Sequence, residues 1–144
     1  MTRGIRIVKR WSDDDVIDLT FEVSDGRSLF INTAYVAVDW LETASSALRV
    51  FGRQIHGGLY DLKAGEFGPE FANGAFLARF HFPKPGRLFI STQQQSDYRE
   101  FKSSEVASAA RLFLTSEPVL LDRFIDELAA LNRGEREDAT LECA

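Results

Sequence analysis

The chain has 144 residues, with 17 Lys plus Arg against 22 Asp plus Glu, a formal charge of −5 and one cysteine. That length suits one domain with a core large enough to fold without disulfides or metals, and the lone Cys143 excludes both an internal disulfide and any four-cysteine metal module. A pI near 5.1 excludes broad binding to a nucleic-acid backbone, which needs a cationic face, and favours a basic protein as partner.

No apolar run approaches the ~20 residues of a membrane span. Met1 to Lys9 mixes Arg3, Arg6 and Lys9 with short apolar stretches, unlike a signal peptide, so the expectation is a small bacterial-type cytoplasmic protein that engages neither membrane nor nucleic acid.

In chain order, Gly4 to Arg10 reads as a short strand, followed by Trp11 and the acidic run Asp13-Asp14-Asp15. In Val16 to Ser24 the apolar set Ile17, Leu19, Phe21 and Val23 alternates with Asp18, Thr20 and Glu22, the period of a strand with one wet face. Asp25-Gly26 is a two-residue hairpin signal leading into a strand over Arg27 to Val38.

Asp39 and Glu42 have capping-box spacing, and Leu41, Ala44, Leu48, Phe51 and Ile55 fall on one helical face before Gly57-Gly58. Leu59 to Phe67 reads as a weaker strand. In Ala75 to Phe82 an aromatic ladder of Phe76, Phe80 and Phe82, with Ala78, alternates with Leu77, Arg79 and His81. Pro83-Lys84-Pro85-Gly86 turns that strand into one through Leu88, Phe89 and Ile90.

Gln93 to Lys102 is a polar stretch suited to a hairpin tip or a surface, and Val106 to Leu114 is a further weak strand. A second helix opens at Ser116-Glu117-Pro118 and buries Leu121, Phe124, Leu128 and Leu131, with Gly134 as its stop.

The order is therefore βββαββββα. It implies an α+β fold in which a curved, mostly antiparallel sheet of about six or seven strands carries both amphipathic helices on one face. A single domain over residues 1–132 and a flexible acidic tail over 133–144 are expected.

Searches for chemistry leave little. There is no G-x-S-x-G, P-loop, G-x-G-x-x-G, H-E-x-x-H or EF-hand loop, so no catalytic residue and no cofactor is assigned. His56 belongs at the last turn of the first helix, where a cation meets the dipole. His56 and His81, with Asp61, Glu66 and Glu70, lack any local ligand spacing, so no metal site is assigned.

Two surfaces are worth weighing. Asp13, Asp14 and Asp15 read as a solvated turn, or as an acidic patch steering a basic partner, strengthened by wet-face Asp18 and Glu22; Trp11 beside them is either a lid over the core or an exposed anchor, and only the second implies binding. Arg79 and His81 share the strand face opposite the Phe ladder. A pocket under the glycine-punctuated Gly65 to Gly74 loop, lined by Tyr60 or Phe71, would make Arg79 an anion clamp and His81 a proton carrier.

The layout resembles small uncharacterised proteins and some toxin-immunity proteins at the level of fold, which transfers no residue. The leading expectation is a non-enzymatic interaction module, immunity-like or homodimeric. The alternative is a protein that binds a small anion, or an enzyme, using Arg79, His81, Tyr60 and Phe71. A third is a subunit whose open strand edge is covered in an assembly.

Overall fold

In the computed structural model, which describes residues 2–54, 57–68, 73–97, 99–101 and 104–144, period-two patterning has produced two four-stranded antiparallel sheets. The first is built from β1 (Gly4–Ser12), β2 (Val16–Ser24), β3 (Leu29–Ala37) and β10 (Asp138–Glu142), in the order β10-β1-β2-β3. The second holds β4 (Leu59–Ala64), β5 (Ala75–Lys84), β6 (Arg87–Gln95) and β9 (Ala109–Ser116), in the order β4-β5-β6-β9. A small hairpin of β7 (Arg99–Phe101) and β8 (Ser104–Val106) precedes β9.

The class is α+β with antiparallel pairing, as the sequence implies, but the strands divide between two sheets instead of forming one. Ile5, Ile7, Leu19, Phe21, Val23, Ala34 and Val36 from the first sheet join Leu62, Phe76, Ala78, Phe80, Phe82, Leu88, Ile90 and Leu114 from the second in one buried cluster. The Phe ladder points inward as expected. Phe21 of β2 stacks on Phe76 of β5 with ring centroids 4.4 Å apart, tying the sheets together.

Two helices, α1 (Trp40–Gly52) and α2 (Pro118–Asn132), contribute Leu41, Leu48 and Phe51, and Leu121, Phe124, Ile125, Leu128 and Leu131, to the same cluster. Phe51 stacks on Phe82 at 5.1 Å and meets the Phe80 ring at 6.3 Å. Asp39 stands at the N-cap without a side-chain bond to the first turn, so the capping box read from its spacing is not formed. α1 ends at Gly52, short of the glycine pair, and Ile55 and His56 lie outside the described residues.

The tail departs most from expectation. Asp138–Glu142 pairs antiparallel with β1, and Ala139 and Leu141 are fully buried. Only two apolar residues in an otherwise polar stretch mark this strand, too short a signal for periodicity to register. Arg6 secures it from β1 by donating to Asp138 at 3.0 Å and to Glu22 at 2.8 Å.

Turn chemistry sets the registers. Asp25 Oδ1 accepts the N–H groups of Arg27 and Ser28, and Ser24 pairs with Leu29, so the β2–β3 loop has four residues where the sequence suggested two. Lys84 pairs with Arg87 across Pro85-Gly86, with Gly86 at φ +74°, a two-residue turn that needs glycine at its second position. At Gly74 a methyl group would collide with the Thr33 carbonyl oxygen of β3, so the absence of a side chain lets the start of β5 meet the first sheet.

Candidate functional site

Each sheet turns one face away from the core. On the first sheet, strict alternation from Ile5 and Ile7 would send Trp11 inward. A β-bulge between Lys9 and Trp11 intervenes, and Trp11 lies opposite Asp18, which in turn lies opposite Tyr35 of β3. The bulge thus converts an inward position into an outward one and forms a cross-strand row, Trp11–Asp18–Tyr35. Trp11 is 53% exposed and Tyr35 52%.

Asp18 between them is mostly covered. Its Oδ2 lies 3.8 Å from Arg10 Nη1, too far for a hydrogen bond, and its Oδ1 has no hydrogen-bond partner among the described residues. A carboxylate satisfied this loosely favours any cation that reaches it more closely.

The acidic run borders this row. Asp13 Oδ1 accepts the N–H groups of Asp15 and Val16, both at 2.8 Å, closing an Asx turn; those two bonds hold the Asp13 carboxyl below the ordinary aspartate range. Asp13 therefore shapes the loop. Asp14 and Asp15 are exposed beside it, and Val38 N–H donates to the Asp15 carbonyl, which fixes the loop against the end of β3. Exposed Leu29 and Ile31 extend the apolar part of the face along β3.

The outward face of the second sheet holds Arg79 and His81. The register builds one row of Leu59, His81, Phe89 and Thr115 and a second of Asp61, Arg79, Ser91 and Phe113. Arg79 is clamped by Asp61 through two parallel bonds, Nε to Oδ1 at 2.8 Å and Nη2 to Oδ2 at 2.9 Å. The Asp61 carboxylate raises the Arg79 pKa, and the guanidinium in turn lowers that of Asp61. The anion site proposed for Arg79 is thus occupied by a carboxylate of the chain itself.

His81 is half-buried, with its ring edge-on to Phe89 at 5.8 Å. Tyr60 points the other way. It belongs to the inward face of β4, half-buried with its ring 6.5 Å from that of Phe51, and its phenol is raised by burial and by Asp61. The four residues expected to line one pocket are therefore not brought together: Arg79 and His81 share a face, Tyr60 lies on the opposite one, and Phe71 is outside the described residues.

A cavity of about 510 Å³ does adjoin His81, with walls from Arg3, Phe89, Phe113, Thr115 and Ala144. Among the described residues no three His, Cys, Asp or Glu side chains gather as a metal would require. Among the described residues, too, no helix is long and apolar enough to cross a membrane.

Tyr35 is the member of the Trp11–Asp18–Tyr35 row that the sequence did not single out; Asp18 already stood there as a wet-face carboxylate strengthening the acidic patch. Tyr35 was visible as an outward position in the Leu29, Ile31, Thr33 series. Its meeting with Trp11 depends on the bulge, which no spacing in the sequence encodes. No protein-family model matches the chain, and neither a curated protein nor a solved structure matches it.

Proposed function

We propose that the chain is a non-enzymatic protein-interaction module that docks a basic segment of a partner protein on the Trp11–Asp18–Tyr35 row. The observation that carries this reading is the bulge that turns Trp11 out of the core, setting two half-exposed aromatic rings on either side of a carboxylate. A water-facing Trp contributes nothing to the core, while aromatic anchors dominate binding energy at interfaces. Asp14 and Asp15 at the border add attraction for a cationic partner and speed its approach.

The test is affinity capture with the wild type and with Trp11→Ala and Tyr35→Ala, followed by measurement of affinity for the captured partner. Loss of an anchor should weaken binding by at least ~30-fold, the equivalent of about 2 kcal/mol at an interface hot spot, and raising the salt concentration should weaken it further. Equal affinity for wild type and both variants would overturn the proposal.

A second reading rests on the cavity beside His81. Its volume of about 510 Å³ falls in the range of small-molecule sites, and Arg3 and His81 would supply polar anchors among apolar walls. Thermal stabilisation by aromatic carboxylates, abolished by His81→Ala and untouched by Trp11→Ala, would favour this reading over the first.

A further inference from the structure

One edge of the second sheet is β9. Its pairing with β6 is regular across Leu88 to Gln95, without a bulge, so successive β9 residues direct their backbone groups alternately toward β6 and away from it. The ladder continues in the bond from Ser96 N–H to the Ser108 carbonyl at 2.8 Å, which places the even-numbered residues of β9 on the β6 side. Ala144 N–H reaches the Thr115 carbonyl from the opposite side at 2.9 Å, consistent with odd-numbered residues facing outward.

The N–H and C=O groups of Ala109, Arg111 and Phe113 therefore point away from the sheet, and among the described residues nothing bonds to them. Edges are ordinarily blunted by proline, bulges or several charges. This one has no proline and no bulge, a single charge at Arg111, and Phe113 at 68% exposure. The Arg111 guanidinium has no ion pair among the described residues, whereas neighbouring Arg79 is held by Asp61.

We propose that β9 pairs antiparallel with β9 of a second copy about a twofold axis at Leu112, joining two four-stranded sheets into one of eight. In this register Arg111 of each copy lies opposite Phe113 of the other, so the guanidinium covers the exposed ring twice over, and the two outward residues exchange all their backbone bonds. Leu112 meets Leu112 on the inner face.

Neighbouring registers are worse. An axis at Arg111 sets two guanidinium groups opposite each other, and an axis at Phe113 makes Arg111 pair with Thr115, whose carbonyl Ala144 already occupies; with the axis at Leu112 the ladder is confined to the two Arg111–Phe113 pairs, and the end pair Ala109–Thr115 is left unmade for the same reason. This surface is on the other sheet from Trp11, and the proposal stands or falls independently of the partner-docking reading.

Sedimentation equilibrium tests it. The wild type is expected to reach twice its 16.2 kDa chain mass as concentration rises. Arg111→Pro removes an outward N–H together with the guanidinium, leaving the β6 ladder intact, and should yield a monomer with unchanged circular dichroism. Phe113→Arg should also be monomeric, and adding Arg111→Glu to it should restore the dimer by setting opposite charges across the axis. A wild type that stays at the monomer mass at every concentration overturns the proposal. So does a dimer that survives both single substitutions, or one that the double substitution fails to restore.

Discussion

Gln94 Nε2 donates to Asn32 Oδ1 at 2.8 Å, joining β6 to β3 across the interior between the two sheets. Gln94 is fully buried, and the same amide lies 3.2 Å from the Phe21 and Phe30 carbonyls, while Asn32 Nδ2 donates to the Ala75 carbonyl at 3.1 Å. Most of the buried cluster between the sheets is apolar; here a polar pair helps fix how they face one another. Gln94 Oε1 lacks a partner among the described residues, so the contact costs something to bury as well as stabilising the fold.

Gln94→Ala leaves Asn32 and two carbonyls without their donor and should destabilise the fold by about 1–3 kcal/mol in urea titration. Asn32→Ala should cost a similar amount. The double variant should lose less than the two together, with a coupling of at least ~0.5 kcal/mol, because both changes remove the same contact.

Gly74→Ala should be costly for a different reason. The added methyl meets the Thr33 backbone, which cannot swing aside as a side chain would, so a loss of about 1–3 kcal/mol is expected from thermal or chemical unfolding. Phe80→Ala, at a fully buried ring of the ladder, should cost about 3–5 kcal/mol by leaving a cavity.

Acid should weaken the fold in part through Asp61. The bidentate bond to Arg79 lowers the Asp61 pKa below its unfolded value, so its contribution is present above pH ~4 and disappears as pH falls through the folded pKa. Asp61→Asn should therefore lower stability at neutral pH slightly and flatten its decline on the acid side, as read from unfolding midpoints across pH 2 to 6. Both partners are well exposed, so the effect is small.

Cys143 should behave as a half-buried, unreactive thiol. Desolvation raises its pKa to about 12, only partly offset by a hydrogen bond with Ser116. A disulfide reagent at pH 8 should leave it unmodified in the folded chain and react fully once denaturant is added. Since its folded pKa is raised, its contribution to stability is intact below pH ~8.5 and is lost as pH climbs toward 12.

The sequence was most legible where one side-chain period ran unbroken. Ile17 to Val23 and Phe76 to Phe82 alternate cleanly, and their apolar members are buried as the pattern requires. Registers were less legible, because they depend on loop length. A two-residue turn at Asp25-Gly26 preserves the faces of β2 and β3 but sets Asp18 beside Thr33, and it is the four-residue loop that brings Asp18 to Tyr35.

The Trp11 row was hidden by the bulge, which reverses alternation without any marker residue. Gln94 was unreadable for another reason: three consecutive glutamines look like surface, and only the approach of β3 supplies acceptors deep enough to bury one. The division into two sheets and the last strand likewise depend on contacts far apart in the chain, such as Arg6 with Asp138.

The central claim, that the Trp11 face binds a basic protein segment, is tested most directly by comparing what is captured by the wild type, by Trp11→Ala combined with Tyr35→Ala, and by Val119→Ser. The last changes an apolar residue, 59% exposed, on a different surface. With all three folded to similar stability, the account predicts a partner rich in Lys and Arg that is held by the wild type and by Val119→Ser, released by salt, and absent from the double variant. Recovery of the same partner in equal amount on all three proteins would contradict it.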